Sequence, residues 1–403
     1  MRYLENIEKK SRNTLPKKIR LYKIKYAIVL GTRPEIIKMA PIIRELEREG
    51  LDYIIVHSGQ HYSANMNSDI FKDLNLPKPR YNLKVGSSSR KKQIEKIKKC
   101  LENVFRDEKP DIVLVQGDTN TVLAGAYTAS NMGIKVGHVE AGLRSYDRRM
   151  PEEMNRILTD YISDYLFTPT LQSKENLLKE GFEENKIYVT GNTIVDATLQ
   201  NLEISNHNSY NAKSLIERLN TSDYVFLTLH RQSNVDSKTQ LKIILGETVK
   251  IPKKYGLEII FSIHPRTKKM ISKYNLARYI ERNKGIFATE AVGYLDCLQL
   301  ESKAKLIMTD SGGLQEESCI LGVPCITLRE NTERPETLKI GSNILIGKEY
   351  HKLLDYVGKS LKKGNNWKNP YGDGETAKKI VEIIQNNLLA ASESTPFSVY
   401  HLS

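Results

Sequence analysis

The strongest constraint on the fold of this chain is a rhythm. Short apolar runs that read as strands alternate with stretches whose apolar residues recur every three or four positions. In the first half the runs lie at 25–30, 53–57, 111–115, 135–139, 165–168 and 186–190. Residues 34–49 show the helical period most clearly, with Ile36, Ile37, Ala40, Ile43 and Leu46 on one face and Pro34 in the first turn. A polar stretch, 201–211, interrupts the rhythm and reads as a linker. The alternation restarts with runs at 224–229, 257–263, 285–287, 305–308 and 323–328. Strand–helix alternation twice over predicts an α/β chain of two doubly wound, Rossmann-like domains. They are expected to face a central cleft, which is then the default ligand site. The expected division is a flexible basic lead-in (1–20), an N-terminal domain (21–203), a C-terminal nucleotide-binding domain (204–388) and a Ser-rich tail (389–403). The last helix of the second domain is a candidate to pack back on the first.

Composition narrows the function classes. No apolar run approaches the roughly 20 residues that a membrane span needs. The first twenty residues lack the apolar core of a secretory signal, so a cytoplasmic protein is expected. The formal net charge of +13 admits nucleic-acid binding. The lysines, however, are spread along helical segments (Lys91, Lys92, Lys96, Lys98, Lys99, Lys362, Lys363) rather than gathered with aromatics. Neither nucleic acid nor membrane is therefore expected as a partner. Cys100, Cys297, Cys319 and Cys325 form no C-x-x-C pair and have no histidine at metal-ligand spacing, so no metal site is expected. Neither a dinucleotide G-x-G-x-x-G nor a P-loop is present, which disfavours a nicotinamide enzyme and an ordinary ATPase.

The polar signals gather where strands end. Ser311-Gly312-Gly313 sits between a buried strand and a helix, where unpaired backbone N–H groups and the helix dipole suit a phosphate. Glu316 and Glu317 follow in the first turns, placed to accept paired hydroxyls such as those of a ribose. Arg33 and Lys38 open another helix, where cations are unfavourable unless an anion is present. Asp118 follows Gly117 at a strand end and also suits a helix cap. Glu140 directly follows a buried strand, a costly place for a carboxylate unless it is paired or at the cleft mouth. Glu152 and Glu153 stand at a helix start, where Arg156 is spaced to pair with Glu152. His230-Arg231 and His264 end strands of the second half, and Arg334 lies in a loop after another strand. Such a cleft suits acid–base chemistry on a nucleotide-linked sugar, and equally suits glycosyl transfer.

Eleven blocks carry a family resemblance, in order. They are GTRPEIIKMAP from Gly31, SGQH from Ser58, QGDT from Gln116, HVEAGLRS from His138, PEEMNR from Pro151, TGNTIVD from Thr190, LHRQSNVD from Leu229, HPRT from His264, TDSGGLQEES from Thr309, TERPET from Thr332 and NPYGDG from Asn369. With these the chain resembles the non-hydrolysing UDP-N-acetylglucosamine 2-epimerases, which have the two-domain GT-B architecture. The resemblance implies interconversion of UDP-N-acetylglucosamine and UDP-N-acetylmannosamine, without cofactor, by a homodimer. UDP would be eliminated to a 2-acetamidoglucal intermediate and re-added with inversion at carbon 2, supplying an activated sugar for surface glycans. It implies proton transfer by Asp118, Glu140 and Glu152, with His230 beside the diphosphate. It further implies diphosphate contacts from Arg33, Lys38, Ser311, Gly312 and Gly313, ribose binding by Glu317, substrate contacts by His264, and Arg334 on the sugar side. A second, regulatory nucleotide-sugar site would use Gln60, His61 and Arg231. The chain departs from the family pattern at Gln232-Ser233, at Tyr62, and at Cys297, which stands where a uracil-stacking aromatic is expected. Two rival readings share the fold: a 2-epimerase for a diacetamido uronic acid type of UDP-sugar, and a GT-B glycosyltransferase.

Overall fold

The structure is a computed structural model that describes residues 23–59 and 70–393. The lead-in, Gln60 and His61 lie outside these residues.

Two parallel sheets make up the molecule. The first consists of β1 (Lys25–Leu30), β2 (Asp52–His57), β3 (Tyr81–Asn82), β4 (Ile112–Gln116), β5 (Lys135–Val139), β6 (Tyr165–Thr168) and β7 (Ile187–Val189). Its spatial order is β3-β2-β1-β4-β5-β6-β7. The second consists of β8 (Tyr224–Leu229), β9 (Glu258–Ile263), β10 (Ile286–Glu290), β11 (Leu306–Thr309), β12 (Cys325–Thr327) and β13 (Asn343–Leu345), ordered β10-β9-β8-β11-β12-β13. The short edge strand β3 left no apolar run in the sequence to announce it, and β13 left only Ile344-Leu345-Ile346. In each sheet the chain order reverses once, between β1 and β4 and between β8 and β11. Those reversals open a crevice at the carboxyl ends of the strands, where ligands of open α/β sheets bind.

The central strands are buried from end to end. Tyr26 to Leu30, Ile112 to Val115 and Val225 to Leu227 have essentially no exposed surface. Helices cover both faces, as a sheet of continuous apolar runs requires. The Arg33–Arg48 helix places Ile36, Met39, Ile42, Ile43 and Leu46 in the first core. Its start is fixed by Glu35, whose carboxylate accepts from the Gly31 and Thr32 N–H groups at 2.5 and 3.2 Å.

The expected linker is helix. The Thr193–Asn208 and Tyr210–Glu217 helices run through the polar stretch. Several of its polar residues bond to other elements. The Asn201 side chain accepts from Arg44 at 2.8 Å, and Gln299 donates to Ser205 and Asn206 at 2.8 Å each. The last helix, Thr376–Glu393, packs on the Arg33–Arg48 and Thr193–Asn208 helices. Its Ala377, Ile380, Val381 and Ile384 complete the first domain's core. The helix carries on past Leu389, where the tail was expected to begin, to Glu393.

Candidate active site at the two sheet crossovers

Both crossovers face the same cleft, and the charged residues of the strand ends meet across it. From the first domain, Lys38 reaches the Glu140 carboxylate at 2.6 Å and Glu316 of the second domain at 3.7 Å. Arg334 pairs with Glu316 at 2.7 Å. Glu140, Lys38, Glu316 and Arg334 thus form an alternating line of charge from one domain to the other.

Glu140 is the most constrained residue of the site. Its backbone is in the left-handed region, φ 73°, which costs a residue with a Cβ and is held here by its surroundings. The carboxylate accepts from Gln116, from Lys38, and from Asn192 at 3.2 Å. Burial alone would push this carboxyl up. The Lys38 ammonium and Arg334 guanidinium outweigh burial and bring it down to about 2. Asp118 is shifted the other way: burial, only partly opposed by Arg156, raises its carboxyl. Two carboxyls moved in opposite directions in one cleft is the pattern of an acid–base site.

The cap reading for Asp118 gives way to its neighbour. The hydroxyl of Thr119 accepts from Val122 N at 3.4 Å and caps the Asn120–Asn131 helix. The Asp118 side chain turns instead to the Arg156 guanidinium. Arg156 does not pair with Glu152; its other contact is Glu153, at 2.6 Å. Glu153 is buried and accepts from the N–H groups of Ser145 and Tyr146 at 2.9 and 3.0 Å, so it shapes the preceding loop. Glu152 is exposed at the helix start, near enough to Asp118 for its charge to help raise that carboxyl.

In the second domain, Asp310 organises the crossover. It is buried, and its carboxylate accepts from the backbone N–H groups of His230 and Arg231 and from the Asn234 side chain at 2.9–3.1 Å. The Nδ1 of His230 lies 3.0 Å from it, and the ring is half-buried. Burial would raise Asp310; these partners hold it below the usual carboxylate range. His264 stands beside His230, ring centroids 5.6 Å apart, and accepts from Arg266 N as a helix cap. Arg231 is folded back on Asp310, its Nε 3.3 Å from the carbonyl.

Ser311 precedes the Gly312–Ile320 helix, and the space above that start is open. A Cβ on Gly312 would meet nothing within 4 Å. Behind it, burial pushes the Glu317 carboxyl up to about 7. Tyr294 lies buried on the same side, with the Arg33 guanidinium 5.8 Å from its ring centroid. Cys297 does not replace an aromatic face. Its thiol donates to the buried Glu301 carboxyl at 3.1 Å.

The structure therefore brings Lys38, Glu140, Glu316 and Arg334 into one cluster, Asp118 with Arg156 into a second, and His230 with Asp310 and His264 into a third. Gln116, Asn192 and Asp310 support these groups without having stood out as site residues. Glu316, expected with Glu317 to accept paired hydroxyls, is instead held between Lys38 and Arg334. Asp310 had a signal, a carboxylate directly after a buried strand. Asn192 had none beyond its place at a strand end.

Two Rossmann-like domains with the site between them define the chain as an α/β protein of the GT-B type. The sequence profile described as UDP-N-acetylglucosamine 2-epimerase matches residues 44–385, and the chain belongs to that family. It is 56% identical over 361 residues to the UDP-N-acetylglucosamine 2-epimerase of Methanocaldococcus jannaschii, covering 90% of this chain and 99% of that one. It is 53% identical over 364 residues to the enzyme of the same name from Methanococcus maripaludis, covering 90% and 98%. A crystal structure of the M. jannaschii enzyme in complex with UDP-GlcNAc and UDP superposes with a TM-score of 0.78 at 56% identity, over 90% of this chain and 100% of that one.

Proposed function

We propose that this protein interconverts UDP-N-acetylglucosamine and UDP-N-acetylmannosamine by eliminating UDP across carbons 1 and 2 and re-adding it. The observation that carries the reading is the pair of oppositely shifted carboxyls, Asp118 and Glu140, in a cleft that ends on the open Ser311-Gly312-Gly313 helix start. The similarity to relatives that bear the epimerase name supports the substrate.

The chemistry asks two things of such a site. The proton on carbon 2 is barely acidic, so the leaving diphosphate must be stabilised as that proton departs. Lys38, Arg33 and the helix-start N–H groups serve the diphosphate. His230, oriented through Nδ1 by Asp310, serves the same group. Preorganised donors of this kind act where charge develops. Asp118, Glu140 and Glu152 serve carbon 2, where positioned proton transfer supplies typically ~10²–10⁴-fold. Glu317 serves the ribose and Arg334 the sugar side. Arg231 belongs to this reading as a border residue of a second nucleotide-sugar site.

A homodimer in the cytoplasm completes the reading. Leu158 and Tyr161, exposed on the Pro151–Ile162 helix, offer apolar surface to a second copy, and the four thiols are free.

Incubation with UDP-N-acetylglucosamine in heavy water, followed by proton NMR, tests the function. UDP-N-acetylmannosamine with deuterium at carbon 2 is the expected product. No product and no exchange would defeat the proposal and turn attention to a diacetamido uronic acid UDP-sugar in the same assay.

A further inference from the structure

His138 lies on β5, two residues before Glu140, with its ring wholly buried. Its Nδ1 is 2.6 Å from the Asp160 carboxylate and its Nε2 is 2.8 Å from the Gly117 carbonyl oxygen. Gly117 directly precedes Asp118. A carbonyl oxygen can only accept, so Nε2 is the donor to Gly117. At the other end the ring is held by Asp160, which is itself fixed by Arg144 at 2.7 Å, and Arg144 also grips Glu180 at 2.7 Å.

The backbone shows what the ring holds. Gly117 has φ 87° and Glu140 has φ 73°, so the two chain segments bearing the candidate carboxyls both leave their strands through left-handed residues. They are tied three times. Gly117 N donates to the Val139 carbonyl at 3.1 Å, Gln116 donates to Glu140, and His138 donates to the Gly117 carbonyl. Only the last fixes the peptide plane from which Asp118 departs.

We propose that His138 is a positioning residue: its ring, held at Nδ1 by Asp160 and donating from Nε2, locks the Gly117–Asp118 peptide to the strand that carries Glu140, and so sets the two carboxyls relative to each other. The inference rests on the role given above to Asp118 and Glu140.

Two substitutions separate the two ends of the ring. Asn places a donor near Nδ1 and keeps Asp160. Gln places one near Nε2 and keeps Gly117. His138→Asn is expected to lose kcat by about 10²-fold, the effect of a misplaced reacting group, with KM nearly unchanged. His138→Gln is expected to stay within about tenfold of the parent. A Gln variant as impaired as the Asn variant, or more so, overturns the proposal, because a purely structural His138–Asp160 pair favours Asn. Nitrogen-15 NMR of the histidine-labelled parent gives a second test, with the His138 signal assigned by its loss in the Gln variant or, failing that, by its coupling to a buried carbonyl. A protonated Nε2 is expected, and a ring with no proton on Nε2 overturns the proposal even if neither variant folds. A parent that leaves carbon 2 unexchanged defeats the functional reading instead, while the spectrum still decides the state of the ring.

Discussion

At the residue scale, burial and charge set opposite demands on the carboxyls of this cleft, and each can be tested separately. Asp118→Asn keeps the side chain's shape and its place beside Arg156 but removes the proton chemistry. Turnover is expected to fall by about 10²–10⁴-fold while UDP binding stays near the parent value. Near-native turnover in the same assay would remove Asp118 from the mechanism. Lys38 is buried between Glu140 and Glu316. Lys38→Met leaves both carboxylates without their shared cation, and urea unfolding should show a loss of about 3–5 kcal/mol. The sign with pH follows from the Glu140 carboxyl, which is lowered from 4.5 to about 2. Its stabilisation is present above pH 4.5 and is lost as pH falls toward 2. Glu317 runs the other way, raised from 4.5 to about 7. Its contribution to stability is complete below pH 4.5 and is lost as pH rises through about 7. A ribose needs the ionised form to accept both hydroxyls, so UDP affinity should weaken as pH falls through 7. Glu317→Gln should abolish that dependence in a calorimetric titration, and a pH-independent parent would argue against Glu317 at the ribose.

At the scale of elements, the helix starts carry the function, and a glycine at one of them differs from a glycine in a turn. Gly312 faces open space, so Gly312→Ala meets no atom within 4 Å. Stability should hold or rise by about 0.5–1 kcal/mol, because alanine favours the helix. UDP affinity should fall by about tenfold or more, since the methyl occupies the path by which a phosphate approaches the backbone. Gly142 is the contrast. It has φ 76°, and an added Cβ would lie 2.4 Å from the Ser173 carbonyl oxygen. Gly142→Ala should lower the unfolding midpoint without a specific effect on UDP affinity. The reverse pattern in the two variants would show that the Ser311-Gly312-Gly313 turn is not the phosphate site. The elements were largely legible beforehand because every central strand is buried on both faces and so reads as an unbroken apolar run. The stretch 201–211 was not legible. Its Asn and Ser residues resemble a linker in one dimension, but they bond to Arg44 of one helix and Gln299 of another. A polar helix face satisfied by a neighbour looks the same in sequence as one satisfied by water.

At the scale of the whole molecule, the two domains are joined by charge and by apolar packing. Charge joins them through Lys38 to Glu316, which Arg334 of the second domain also holds. Apolar packing joins them where Tyr294 and Leu295 of the second domain enter the first domain's core together with the last helix. A ligand carrying a diphosphate competes with Glu316 for the same cations. Glu316→Gln should therefore loosen the ligand-free protein, seen as a larger radius of gyration in small-angle scattering, and UDP should restore the compact value. An unchanged radius without ligand would mean that the apolar packing alone holds the domains together. What the sequence by itself determined was the alternation, the two doubly wound domains and the set of strand ends that carry Asp118, Glu140, His230 and Ser311, because burial and backbone geometry act within a few residues. What only the tertiary structure decided was the partner of each charge. It set Arg156 on Asp118 rather than Glu152, Asp310 under His230, Glu316 across the cleft from Lys38, and His138 against Gly117. These contacts join residues 21 to 278 positions apart. Such long-range pairing is fixed by how strands order themselves in a sheet and how two sheets face one another, and no local pattern encodes it.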